Sequence, residues 1–139
     1  MQIVEQPPEK SVYKRNLKPN PMVTVQGDSK LLPNLYVAVT LVRCDTFQEE
    51  AKYLTGNRPE RVTSGRVVTF RKLKITTTSH QQQETLFCLR FELRKYLNEN
   101  DFETLDSTHS NPICVLSHST QMKPGISPIF TIVLIYAST

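Results

Sequence analysis

The chain is predicted to be an all-β sandwich of about seven strands, and three observations lead there. The stretch "TLFCLRFELR", Thr85 to Arg94, alternates Phe87, Leu89, Phe91 and Leu93 with Leu86, Cys88, Arg90 and Glu92. A period of two over that length fits no amphipathic helix. Nine prolines against four glycines, with no tryptophan, suit a loop-rich β chain better than a helical bundle. Turn residues also recur between the apolar runs, where a sandwich needs its strands joined. A length of 139 residues supports one domain with a real core and is too short for two conventional ones. The apolar fraction of 38% is low for a compact globule, yet 22% charge of mixed sign is not the composition of a disordered chain. The two together predict a folded core carrying long polar loops.

In chain order, "KPNP" precedes the first expected strand, "MVTV" at 22–25, and "GDSKLLPN" follows it as a turn. "LYVAVTLVRC", Leu35 to Cys44, is apolar on both parities and reads as a central strand covered on both faces. Thr46 and Glu49 form a capping-box pattern opening "FQEEAKYL", which predicts a short helix. After the turn "TGNRPERVTSG" comes "GRVVTFRKLKITTT", Gly65 to Thr78, rich in β-branched residues. It breaks near Arg71 and Lys72 into two short strands or one bent one. "SHQQQ" at 79–83 turns into the alternating strand, and "RKYLNENDFETL" has the weaker spacing of a second short helix. "SNP" leads into the strand "ICVLS" at 113–117. Counting Ile129 to Tyr136 as a last strand gives about seven, the usual number for an immunoglobulin-like sandwich.

Several function classes find no support. Cys44, Cys88 and Cys114 lie 44 and 26 residues apart, which matches no zinc spacing, so no metal site is expected. Their odd number argues against a secreted disulfide framework and favours a reducing intracellular compartment. Met1 to Lys18 has no apolar core of a signal peptide, and Ile129 to Tyr136 is far short of the roughly 20 residues of a spanning helix. A soluble protein with no membrane partner is therefore expected. His80, His109 and His118 are all flanked by Ser, Thr or Gln, and no catalytic or phosphate-loop signature occurs. Cys114 and His118, four apart on a strand, would stand about 13 Å from one another, too far to hydrogen-bond. Cys114 reads instead as a small buried apolar residue. The chain is not expected to be an enzyme or to use a cofactor or small-molecule substrate.

Charge carries more information by its placement than by its net value of +4. Lys10, Lys14, Arg15 and Lys18 occupy one acid-free stretch, and Arg58 to Lys74 holds six basic residues against the single acid Glu60. The acids gather instead at Glu49 and Glu50 and from Glu99 to Asp106. Such segregation suits a protein that meets a polyanion, although a bland solvated surface accounts for it equally well. The loops "YKRNLKPNP" and "SHSTQMKPG" carry the groups that DNA recognition needs. Lys14, Arg15 and Lys18 suit phosphates, while Ser117, His118 and Gln121 suit base edges. Alternatively, the cations solvate a terminal arm and the cluster from Ser117 to Gln121 only closes a strand.

Three phrases in order carry a family resemblance. "IVEQPP", 3 to 8, followed by "RNLKPNPMVTV", 15 to 25, resembles the opening of the STAT DNA-binding domain. There a valine, glutamate, glutamine, proline phrase precedes a basic loop that runs into the first strand. "TSGRVVTFRKLKI", 63 to 75, is similar to the STAT turn with its phenylalanine, basic residue and leucine phrase, and to the related strand of Rel and Runt proteins. "PICVLSHSTQM", 112 to 122, resembles the STAT strand that ends in serine and asparagine with a glutamine shortly after. The order suggests a member of the immunoglobulin-fold transcription factors, which also include the tumour-suppressor type, with the STAT-like CudA-type factors as nearest relatives.

The resemblance implies an s-type immunoglobulin-like domain over 1–125 that binds double-stranded DNA through end loops, acts in transcriptional regulation in the nucleus, and allows a homodimer. Lys18 falls where STATs place a basic residue on the DNA backbone, and His118 where they place an asparagine near base edges. Ser117, Gln121, Lys14 and Arg15 join them as neighbours. The likeness does not extend over 26–62 or past Lys123. Residues 126–139 form an apolar tail, either a last strand or a truncated continuation. No SH2 domain, tyrosine tail or coiled coil accompanies the match. An immunoglobulin-like protein interaction module without nucleic-acid binding is the alternative.

Overall fold

A computed structural model describes residues 1–26 and 34–118. Its strands, in order, are β1 (Gln2–Glu5), β2 (Lys10–Val12), β3 (Met22–Thr24), β4 (Leu35–Arg43), β5 (Leu54–Thr55), β6 (Glu60–Arg61), β7 (Val67–Thr69), β8 (Lys74–Ile75), β9 (Phe87–Tyr96), β10 (Phe102–His109) and β11 (Cys114–Leu116). The fold is all-β. One antiparallel sheet runs β1-β3-β7 and a second runs β10-β9-β4-β6; β11 and β2 form a parallel pair, and β5 and β8 an antiparallel one.

Side-chain alternation sets the layers. Phe87, Leu89, Phe91 and Leu93 of β9 are buried, whereas Arg90, Glu92 and Arg94 face outward. β4 buries Val37, Val39 and Leu41 in the same core, and its other parity holds the buried Ala38 and Val42, so this central strand is covered on both faces. Val23 of β3 and Val68 of β7 enter that core from the three-stranded sheet, where the Phe70 ring packs 5.7 Å from Phe91. Each such aliphatic or aromatic side chain contributes about 1.5–3 kcal/mol when fully buried. The segment 65–78 divides as expected, with β7 and β8 separated at Phe70 to Leu73.

Both expected helices are corrected. Thr46 Oγ1 accepts the Gln48 amide, but Phe47 adopts φ +57° and its amide turns back to the Arg43 carbonyl. That left-handed residue ends helical propagation, and only a 3-10 turn, Ala51–Tyr53, forms. The segment 94–105 is a β-hairpin. Asn98 Oδ1 accepts the amides of Asn100 and Asp101, fixing a tight turn, and β10 then pairs back along β9.

The cysteine reading also changes. Cys44 and Cys88 are disulfide-bonded, with Cα atoms 5.4 Å apart. The antiparallel register sets Val42 opposite Cys88 and hands the Cys44 amide to the Leu86 carbonyl, so cysteines 44 residues apart become diagonal neighbours. The odd count, which argues against a secreted disulfide framework, leaves room for this one bond, the third cysteine, Cys114, being free and buried. The expected strand Ile129 to Tyr136 lies outside the described residues.

Candidate nucleic-acid interface

The parallel pair builds the candidate site. Cys114, Val115 and Leu116 stand beside Lys10, Ser11 and Val12, and the Tyr13 amide donates to the Leu116 carbonyl at 3.0 Å. Parallel strands leave a sheet at the same end. Residues Tyr13 to Arg15 and residues Ser117 and His118 therefore emerge side by side, although about a hundred positions separate them in sequence. Burial changes at the same level in both strands. Ser11, Val12 and Cys114 to Leu116 are buried, whereas Lys14, Arg15, Ser117 and His118 are exposed.

Past this point the chain bends across the molecule. Lys14 adopts φ +65°, its amide donates to the Ile75 carbonyl at 2.8 Å, and the Arg15 amide turns back to Val12 at 3.2 Å. Asn16 then bridges to Lys74 in antiparallel sense, and the Leu17 amide bonds the Leu73 carbonyl at 2.9 Å. Leu17 is buried in the core while Lys14, Arg15 and Lys18 remain exposed around it. Five of the six expected site residues thus lie on two adjoining segments, with Lys18 at the far end of its own. Gln121 lies outside the described residues.

Among the described residues no carboxylate reaches ion-pair distance of Lys14, Arg15 or Lys18. Lys14 instead places its ammonium 5.4 Å from the centre of the Tyr13 ring. The structure adds Lys72 and Lys74, which the sequence showed only as part of a charge run. Their signal was the alternation Lys72, Leu73, Lys74, Ile75, which puts two cations on one face over two buried apolar residues.

Between β11 and the turn at 79–84 lies a cleft of about 370 Å³, lined by Tyr13, Ser79, His80, Glu84, Cys114 and Ser117 among others. Two of its side chains, Ser79 and Cys114, are held in structural roles. Ser79 Oγ accepts the Val115 amide at 2.9 Å and is buried, and burial pushes the Cys114 thiol up, away from the thiolate. His80 Nδ1 lies 2.7 Å from Glu84 Oε1 on the exposed rim. The cleft therefore offers hydrogen-bonding groups, with its Ser79 hydroxyl and Cys114 thiol already engaged in holding the fold. Among the described residues no group of three or more His, Cys, Asp or Glu could hold a metal ion, and no helix is long and apolar enough to cross a membrane.

What the surface can do is bind an anion through the cations and present Ser117 and His118 next to it. No protein-family model and no curated protein matches the chain.

Proposed function

We propose that the protein binds double-stranded DNA sequence-specifically through the loops at one end of an immunoglobulin-like β-sandwich and acts in the nucleus as a transcriptional regulator. The observation that supports this most is the parallel β2–β11 pair, which sends a basic segment and a hydroxyl- and imidazole-bearing segment out of the same end. Arg15 and Lys18 anchor phosphates, with Lys14 beside them, while Ser117, His118 and Gln121 approach base edges. Phosphate contacts supply affinity without sequence information, and base-edge contacts supply discrimination. Histidine at 118 donates a single hydrogen bond where an asparagine amide would make two.

The test is selection from a pool of random duplexes at physiological salt. A specific DNA binder enriches a common motif; an immunoglobulin-like protein interaction module enriches nothing. On the selected duplex, Lys18→Ala weakens binding to all sequences alike and lowers the salt slope by about one unit. His118→Ala changes preference among sequences by about 1–3 kcal/mol. An unchanged affinity and preference in His118→Ala would remove the base-reading assignment.

A further inference from the structure

The basic segment does not end at the loops. Residues 14–18, β8 and β5 lie side by side: Asn16 bridges Lys74 on one side, and Thr55 pairs with Lys74 on the other. The Thr76 amide continues the second seam to the Tyr53 carbonyl at 2.9 Å. Side chains in such a ladder alternate between faces. Leu17, Leu54, Leu73 and Ile75 all point into the core. Lys72, Lys74, Asn16, Thr55 and Lys18 consequently share the exposed face. Extending the antiparallel pairing by two residues sets Lys18 opposite Lys72. At the edge of the same strip the Lys52 ammonium lies 5.0 Å from the centre of the Tyr53 ring.

Two features mark this face as a place for an external anion. The segments 10–26, 51–58 and 66–83 contain no acidic residue. In addition, among the described residues no ion pair involves Lys52, Lys72 or Lys74, whereas Arg43, Arg90 and Arg94 elsewhere are all matched to carboxylates. The backbone underneath is fixed. Gly56 sits at φ +74°, and a Cβ added there would meet the Lys72 carbonyl oxygen at 1.9 Å, so the two segments approach as closely as only a glycine permits.

We propose that this three-segment face is a second contact track for the phosphodiester backbone, with Lys72 and Lys74 as its principal cations and Lys18 as its junction with the loop end. A duplex seated at the loops runs along this face, and the chain grips it by backbone over a length that the loops alone do not span. The inference rests on the DNA-binding reading and adds to it a direction for the duplex and two contact residues outside the loops.

The experiment measures the affinity of the full chain for one duplex across a salt series, for wild type, Lys72→Gln, Lys74→Gln, Lys18→Gln and Lys95→Gln. Lys95 lies on β9, opposite Glu103, and its replacement changes net charge by the same amount away from the track. Lys72→Gln and Lys74→Gln are each expected to lower the salt slope by about one unit and the double variant by about two, with Lys95→Gln near wild type. The double replacement by arginine retains the wild-type slope, which separates a charge contact from a folding defect. If Lys18→Gln lowers the slope while the Lys72 and Lys74 variants match Lys95→Gln, the track is wrong and the loop reading stands. If wild type binds no duplex at all, both fall together.

Discussion

Two surfaces of this molecule use positive charge in opposite ways. On the outer face of the β10-β9-β4-β6 sheet and at its margin, Arg43, Arg90 and Arg94 are neutralised from within. Arg43 Nε meets Glu50 at 2.9 Å while its other nitrogens reach Thr85 and Gln82, Arg94 meets Glu92 at 2.6 Å, and Arg90 pairs with Glu49. On the face formed by residues 14–18, β8 and β5 the cations are mainly lysines, and no carboxylate of the described residues pairs with them. A guanidinium has a planar fork suited to fixed partners, whereas an ammonium is a compact, well-hydrated point charge on a flexible stem. The three arginines hold the chain to itself, whereas the lysines have no carboxylate among the described residues and are the cations proposed to meet a phosphate backbone.

Both surfaces hang on one core, so the largest effect comes from breaking that core. Phe91→Ala is expected to cost about 3–5 kcal/mol in urea unfolding, because Phe91 is fully buried and packs against Phe70, which directly follows β7 of the opposite sheet. A loss below about 1.5 kcal/mol would mean that the two sheets do not share their stability. Gly56→Ala comes next, at about 1–3 kcal/mol for a side chain at positive φ with added displacement of the Lys72 backbone. It should lower the melting temperature and the DNA salt slope together, since the close approach it destroys lies under the basic track.

A reciprocal pair of variants sharpens the contrast itself. Arg43→Met leaves the mostly buried Glu50 carboxylate without its partner and is expected to cost about 1–3 kcal/mol of stability with no change in DNA affinity. Lys74→Ala should do the reverse, with stability within about 0.5 kcal/mol of wild type and a reduced salt slope. If Lys74→Ala destabilises the fold and leaves binding unchanged, its charge is structural after all.

What could be read from the sequence follows from how far apart the interacting residues are. β9 and β4 were legible because their evidence is local: alternation in one case, apolar residues on both parities in the other. The hairpin of β9 and β10 was misread as helical because Leu105 follows Phe102 by three residues and Leu97 by eight, a helix-like spacing, while the Asn98 turn that decides the matter is a single side chain accepting two amides. The parallel pairing of β2 with β11 joins two three-residue strands across the length of the chain, and neither has a periodicity of its own. The same is true of the Cys44–Cys88 bond and of the three-segment basic face. Lys72 and Lys74 could be counted in the sequence, but their partnership with Lys18 exists only once Asn16 and Lys74 are neighbours.

The smallest expected effect lies on the ion-paired face and is a dependence on pH. His109 sits beside Arg90 across the β9–β10 seam, with its ring stacked 4.1 Å from Phe47 and its buried Nε2 without a hydrogen-bond partner. Burial, and then the Arg90 charge, hold its pKa below the ordinary histidine value of about 6.5. The unfolded chain therefore takes up a proton at higher pH than the native one does. The contribution of neutral His109 is fully present above that ordinary value and is lost as pH falls from there toward the lower folded value. Asp106 acts in a separate window. Its carboxylate, held down by the Met1 ammonium and the Ser107 amide, loses its contribution only as pH falls below the usual carboxylate range. Urea midpoints between pH 7.5 and 5.5 consequently stay clear of the Asp106 window, and the His109 share is read as the difference between wild type and a variant. Wild type should lose stability across that interval, and His109→Phe, which keeps a ring against Phe47 and cannot titrate, should flatten the dependence. Because His109 lies among the paired arginines and away from the basic track, the same variant should leave the salt slope for DNA where it was.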